Sequence, residues 1–168
     1  MRCVRFTIFA ALVCCLAALA APHGARAEDR WVVYVNDRFG TTISYPAPRF
    51  AMQPPPANDD GRTLIAADGA EILVFAANNV AGDTLASKRA ALTGPDYART
   101  TYRANGANWF VVSGYRNIGG VDSVFYEKYI LSRDGGVFHS LVVTYPSALK
   151  RAYDPIVERV AASFATGE

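Results

Sequence analysis

The stretch Val121–Phe164, VDSVFYEKYILSRDGGVFHSLVVTYPSALKRAYDPIVERVAASF, decides the fold. Val121–Ser132 and Val137–Tyr145 are rich in aromatic and β-branched residues and flank the turn Asp134-Gly135-Gly136. That pattern is a β-hairpin. Pro146 stops the second strand, because proline cannot donate to a sheet ladder. The chain then turns helical. Ser147–Tyr153 reads as a first turn or two, and Asp154-Pro155 as a cap followed by proline at the first helical position. Ile156, Val157, Val160, Ala161 and Phe164 fall on one face, suited to packing on a sheet, with Glu158 and Arg159 on the other.

Reading back towards the N-terminus, more hairpins follow. Ala98–Ala104 and Asn108–Tyr115 flank Asn105-Gly106, a turn of the kind that needs positive φ. Arg62–Ala66 and Glu71–Ala76 close on Asp68-Gly69. Between these pairs lies a helix over Leu85–Leu92, capped by Asp83 or Thr84 and ended by Gly94-Pro95. Trp31–Asn36 and Thr41–Tyr45 are strands about the turn Asp37–Gly40, the second stopped by Pro46 and Pro48. Gln53–Gly61 holds three prolines and then Ala57-Asn58-Asp59-Asp60-Gly61, an ordered extended loop. Hairpin connections imply antiparallel pairing, and helices segregated from strands imply layers. The expected fold is α+β: an antiparallel sheet of about eight strands, with one mid-chain helix and a C-terminal helix packed on it.

Residues 1–27 have another purpose. Arg2 and Arg5 make a positive start, and Phe6–Ala21 is uncharged and almost wholly apolar. Ala25 and Ala27 place small residues where a signal peptidase cleft accepts them. The apolar run is about 16 residues, short of the roughly 20 needed to span a bilayer. Cleavage after Ala27 is expected, leaving one domain over 28–168 with no membrane span, in the periplasm or secreted. All three cysteines, Cys3, Cys14 and Cys15, leave with this segment, so disulfides, thiolate nucleophiles and cysteine-ligated metals are excluded. Arg2, Arg5 and Arg26 leave too. The 17 basic residues become 14 against 15 acidic ones, and a net charge of +2 becomes −1. Without clustered Lys or Arg along the chain, no footprint for nucleic acid or anionic lipid is expected.

The order of elements, the strand ending in Tyr145-Pro146 and the helix ending in Ser163-Phe164 resemble the Mog1/PsbP-like fold. The chain also resembles small exported proteobacterial proteins of unknown function. The segments that carry this likeness are Tyr34–Thr41, Pro54–Arg62, Trp109–Gly114 and Phe125–Lys128. Proteins of the fold mostly bind or scaffold, so the resemblance implies a binding role. It supplies no site residue.

The residues themselves argue against most chemistry. After cleavage only His139 remains as a histidine, mid-strand between Phe138 and Ser140. No metal, cofactor or phosphate loop is expected: Asp59-Asp60 lack the alternating ligands of a calcium loop, and Gly119-Gly120 and Gly135-Gly136 precede strands. Ser113-Gly114 lacks the flanking glycine of a nucleophile elbow. Glu127 and Lys128 are strand neighbours and point to opposite faces. The alternative to a binding protein is a hydrolase-like enzyme using His139 with a nearby Ser or carboxylate. The favoured reading is an exported, non-catalytic binding or accessory protein, expected to be monomeric. Its partner would be an unidentified envelope protein or a small ligand, met through Asn58, Asp59, Asp60 and Arg62. A stiff, exposed proline loop loses little entropy on docking.

Overall fold

Strand β9 (Val137–Pro146) is the axis of the molecule. It pairs antiparallel with β8 (Val121–Leu131) on one side and with β5 (Glu71–Asn78) on the other. The computed structural model describes residues 30–167. The expected signal segment with Ala25 and Ala27 lies outside them. Among the described residues the remaining strands are β1 (Trp31–Val35), β2 (Thr42–Pro46), β3 (Phe50–Met52), β4 (Gly61–Ala66), β6 (Arg99–Asn105) and β7 (Trp109–Ile118). They form one antiparallel sheet of seven strands in the order β3-β4-β5-β9-β8-β7-β6, and a separate two-stranded sheet, β1-β2.

The described residues thus hold nine strands in two sheets, where the sequence suggested about eight in one. β3 is the addition. It is three residues long, too short to show alternation, and it forms because Phe50 drops into the core edge-on to Tyr153 at 6.3 Å. The mid-chain helix α1 (Leu85–Ala90) ends earlier than expected. Thr84 caps it by accepting from the Ser87 backbone N–H, and Ser87 returns the bond. Gly94, at φ +85°, turns the chain into a 3-10 turn over Pro95–Tyr97. Gly69 and Gly135 take the positive φ expected of their turns, whereas Gly106 does not.

The C-terminal helix α2 runs unbroken over Lys150–Ser163, so Pro155 lies inside it rather than at its start. Asp154 is not a cap. Its carboxylate accepts from the Tyr145 hydroxyl at 2.9 Å and pairs with Lys150 at 2.6 Å. An interior proline costs a helix about 3 kcal/mol. The opposing force is Tyr153, fully buried, stacked on Tyr145 at 5.1 Å, with its hydroxyl donating to Asp68. Holding Tyr153 there requires helical backbone before the proline.

α2 and the β1–β2 hairpin together cover one face of the large sheet. Their Tyr34, Ile43, Tyr153 and Val160 pack on Leu64, Ile72, Val74, Leu141 and Val143. The hairpin is tied to the end of α2 by the Thr42 and Ala165 backbones and by Ser163 Oγ, which accepts from Ser44 N–H at 2.8 Å. The opposite face carries a smaller core of Phe110, Val112, Phe125 and Tyr129, roofed by Leu85, Leu92 and Tyr97. That roof reaches only part of the face. At β4 and β5 the sheet stays open, and there the proline loop begins.

Candidate functional site

The loop from Pro54 to Arg62 grows out of the sheet edge. Gln53 N–H donates to Thr63 O at 2.8 Å, the last rung of the β3–β4 ladder, and three successive prolines then supply no donors. The chain turns at Asp59, at φ +49°, where Asp59 N–H donates to Pro56 O at 3.0 Å. Aspartate tolerates this left-handed region better than most residues. The loop returns through Gly61, which lies opposite Phe75 in the ladder. A Cβ at Gly61 would sit 2.2 Å from Val74 O, so only glycine fits.

Two residues of the β1–β2 hairpin loop pin this loop by its backbone. Asn36, only 2% exposed, donates through Nδ2 to Asp59 O at 2.9 Å, while its Oδ1 accepts from Phe39 N–H. Arg38 donates to Asn58 O at 2.5 Å. The side chains at the tip then organise one another. Asn58 Nδ2 donates to Asp60 Oδ2 at 2.6 Å, and Arg62 pairs with Asp59 at 2.6 Å with its guanidinium 5.7 Å from the Tyr34 ring centroid. The Asp59 hydrogen bond raises the Arg62 pKa above its ordinary value, offset in part by burial.

Beside the loop lies a hollow of about 350 Å³. Pro54, Pro55, Pro56, Leu73 and Phe75 make its apolar wall, and Asp60 and Arg62 its polar edge. The four residues singled out in sequence therefore share one pinned turn. Two of them, Asp60 and Arg62, line the hollow, and Asn58 and Asp59 hold the turn beside it.

His139 is placed differently. It is 2% exposed, and its Nδ1 lies 2.7 Å from Oγ1 of Thr41, which is wholly buried. Ser113 does not meet it. Strand β8 separates β7 from β9, and the register sets Ser113 against Tyr126 and Tyr126 against Val143, four residues along from His139. That is roughly 10 Å across the sheet and roughly 13 Å along it. Ser113 Oγ instead donates to Phe125 O at 2.7 Å. Glu127 and Lys128 do face opposite sides: Glu127 meets Tyr97, Tyr129 and Arg116, and Lys128 donates to Ala161 O on α2. The hydroxyl that meets His139 is that of Thr41, and both residues are buried.

No protein-family model matches this chain, and no curated protein matches it. Solved structures do. The Ran-binding protein Mog1p of Saccharomyces cerevisiae is similar at a TM-score of 0.58 and 10% identity, over 83% of this chain and 96% of that one. Cyanobacterial PsbP (CyanoP) of Synechocystis sp. PCC 6803 is similar at 0.58 and 11%, over 88% and 98%. LpqN, involved in cell envelope biogenesis of Mycobacterium tuberculosis, is similar at 0.50 and 12%, over 82% and 90%. The chain has the Mog1/PsbP-like fold. At such identities the likeness is one of architecture and transfers no residue.

Within that fold, three features had no linear signature. The first is a buried polar cluster under the 3-10 turn. Glu127, 3% exposed, accepts from the Tyr129 hydroxyl at 2.7 Å and the Tyr97 hydroxyl at 3.1 Å, and pairs with Arg116 at 2.9 Å. Burial, then the Glu127 charge, pushes the Tyr97 pKa up to about 12, and the same causes raise Tyr129 further. The second is a cavity of about 540 Å³ between α2 and strands β6–β8, walled by Tyr102, Tyr115, Tyr126 and Tyr145 with Lys128. Burial lowers the pKa of Lys128. The third is a groove of about 810 Å³ along the other flank of α2, whose walls include Arg49, Arg151 and Arg159. The residues are distant in the chain, although Arg151 and Arg159, eight apart, share a helix stripe that the sequence could have shown.

Among the described residues, no helix is long and apolar enough to cross a membrane.

Proposed function

We propose that this chain is an exported, non-catalytic binding or accessory protein of the cell envelope that holds its partner through the Pro54–Arg62 loop. The observation that carries this reading is the pinning of the loop by Asn36 and Arg38 through carbonyl oxygens, which holds the turn in one conformation without drawing on its side chains. A contact surface already held in one conformation loses little entropy when a partner docks. The hollow beside it, apolar with a charged edge, suits an anchoring apolar side chain of a partner, or a small ligand of similar shape. The burial of His139 and Thr41 weighs against the hydrolase alternative.

Two of the similar structures are described by a partner or a process, Ran binding for Mog1p and cell envelope biogenesis for LpqN. The reading extends to the N-terminus. Residues 1–27 are a signal peptide cleaved after Ala27, 28–168 are a single monomeric domain, and the chain is kin to small exported proteobacterial proteins. N-terminal sequencing of the protein from a periplasmic fraction should begin at Glu28; a start at Met1 would contradict export with cleavage.

The contact itself is tested by placing a photo-crosslinking residue at Ala57, on the loop, and at the exposed Ile118 as control. The expected result is a discrete adduct from position 57 in the living envelope and none from 118. Equal patterns from both positions would remove the loop as the contact.

A further inference from the structure

The groove on the flank of α2 has a sign that no other cavity described above shares. Three arginines stand in its walls, from the turn after β2 (Arg49) and from two levels of α2 (Arg151 and Arg159). Among the described residues that line it there is no carboxylate. α2 itself sorts its charges. Asp154 and Glu158 face the tyrosine-walled cavity on the opposite flank, and Asp154 is engaged by Lys150 and Tyr145. Arg151 and Arg159 are on exposed positions of the groove flank. This concentration of positive charge sits on a domain whose formal charge is −1 once residues 1–27 are removed.

The arginines are also arranged to act as donors. The Arg159 guanidinium lies over the ring of Trp31, 4.1 Å from its centroid. Stacking fixes the plane of a guanidinium while leaving its N–H groups free to bond at the edge. Arg49 lies 5.7 Å from the ring centroid of Tyr153, whose hydroxyl donates to Asp68. The start of α2 adds potential of the same sign, since Leu149 makes no side-chain cap and the first turn has no acidic residue. Pro155 and Ile156 line the floor between the two helix arginines.

We propose that this groove is a binding site for a phosphate-bearing anion of two or more charges, held by Arg151 and Arg159 with Arg49 at its rim. Guanidinium groups bind phosphate oxygens in paired, parallel hydrogen bonds, and the two helix arginines, on exposed positions of one flank, favour a multiply charged ligand over a single carboxylate. The site is separate from the Pro54–Arg62 loop, which borders the face of the sheet that α2 leaves uncovered.

The test is calorimetric titration of inorganic pyrophosphate into the protein as the cell exports it, at low salt. One site per chain is expected. The double variant Arg151→Gln/Arg159→Gln should bind at least tenfold more weakly, with an unchanged melting temperature. Arg151→Lys/Arg159→Lys, which keeps charge but loses the planar fork, should fall between. Trp31 emission should respond to pyrophosphate, and the response should vanish in Trp31→Phe, which leaves Trp109 as the remaining indole. Co-sedimentation with phosphatidylglycerol or phosphatidylcholine vesicles separates the sources of the phosphate. Pyrophosphate-competed capture by the anionic vesicles alone assigns a lipid headgroup, and pyrophosphate binding without vesicle capture assigns a soluble ligand. Failure to bind either probe, binding unaltered in the glutamine variant, or succinate binding as tightly as pyrophosphate would each overturn the proposal.

Discussion

The two faces of the large sheet differ in almost every respect. The face under α2 and the β1–β2 hairpin is closed at β5 and β9 by large apolar side chains, with Ile72, Val74, Leu141, Tyr153 and Val160 essentially without solvent exposure. The other face has a short roof, a small core and a buried carboxylate in its middle. α1 itself has no buried residue. Close packing under α2 makes stability there sensitive to single methylenes, whereas the roofed face depends on fewer contacts and on satisfied polar groups. The open end of that second face is where the proline loop stands. Stability and proposed contact are thus assigned to different parts of one sheet.

The largest expected effect tests the sealed face. Tyr153→Ala removes the ring stacked on Tyr145 and edge-on to Phe50, and should cost about 3–5 kcal/mol. Leu85→Ala in the roof, only half-buried, should cost less than about 1 kcal/mol. Chemical denaturation of both variants checks the contrast, and similar losses would erase it. Next is Glu127→Ala. It leaves Arg116, with 15% of its side chain exposed, and two tyrosine hydroxyls without their common partner, and should cost about 3 kcal/mol. A loss near zero would mean that the polar cluster contributes little to holding the roof.

A smaller effect appears in alkali. The Tyr97 phenol is pushed up to about 12 by burial and then by Glu127, and Tyr126 to about 12 by burial and then by Tyr102. Each folded-state value lies above the unfolded value near 10. The folded chain therefore holds protons that the unfolded chain releases, and stability present below pH 10 is lost as pH rises through 10 towards 12. Tyr97→Phe should make that loss shallower in thermal melts across pH 9–12, with no change at pH 7 in the tyrosine-linked slope.

The hairpins were legible because their turns are chemically explicit: Asp68-Gly69 and Asp134-Gly135-Gly136 could hardly be anything else. α2 was legible from its apolar face, but its start was not. Pro155 signals a helix beginning, and only the burial of Tyr153 between Phe50 and Tyr145 moves the helix back to Lys150. The place of β9 between β5 and β8 was illegible, since the chain leaves β5, crosses by α1 to the far edge at β6 and returns through β7 and β8. Pairing across such a crossover is set by the packing of whole layers, not by local pattern. The same holds for the sites. The loop residues Asn58–Arg62 are contiguous and could be named, but the pins Asn36 and Arg38 reach the loop, and Arg49 reaches the two arginines of α2, through tertiary structure alone.

The measurement closest to the central claim replaces Asn58, Asp59, Asp60 and Arg62 by alanine together and compares two quantities with the unaltered protein. The backbone pins from Asn36 and Arg38 survive this change, and the Arg62–Asp59 pair, with the aspartate in solvent and the arginine half-buried, is worth about 1 kcal/mol. The melting temperature should therefore move by only a few degrees, while quantitative affinity capture from the envelope loses the partner that the unaltered protein retains. Undiminished capture by the alanine variant would contradict the account.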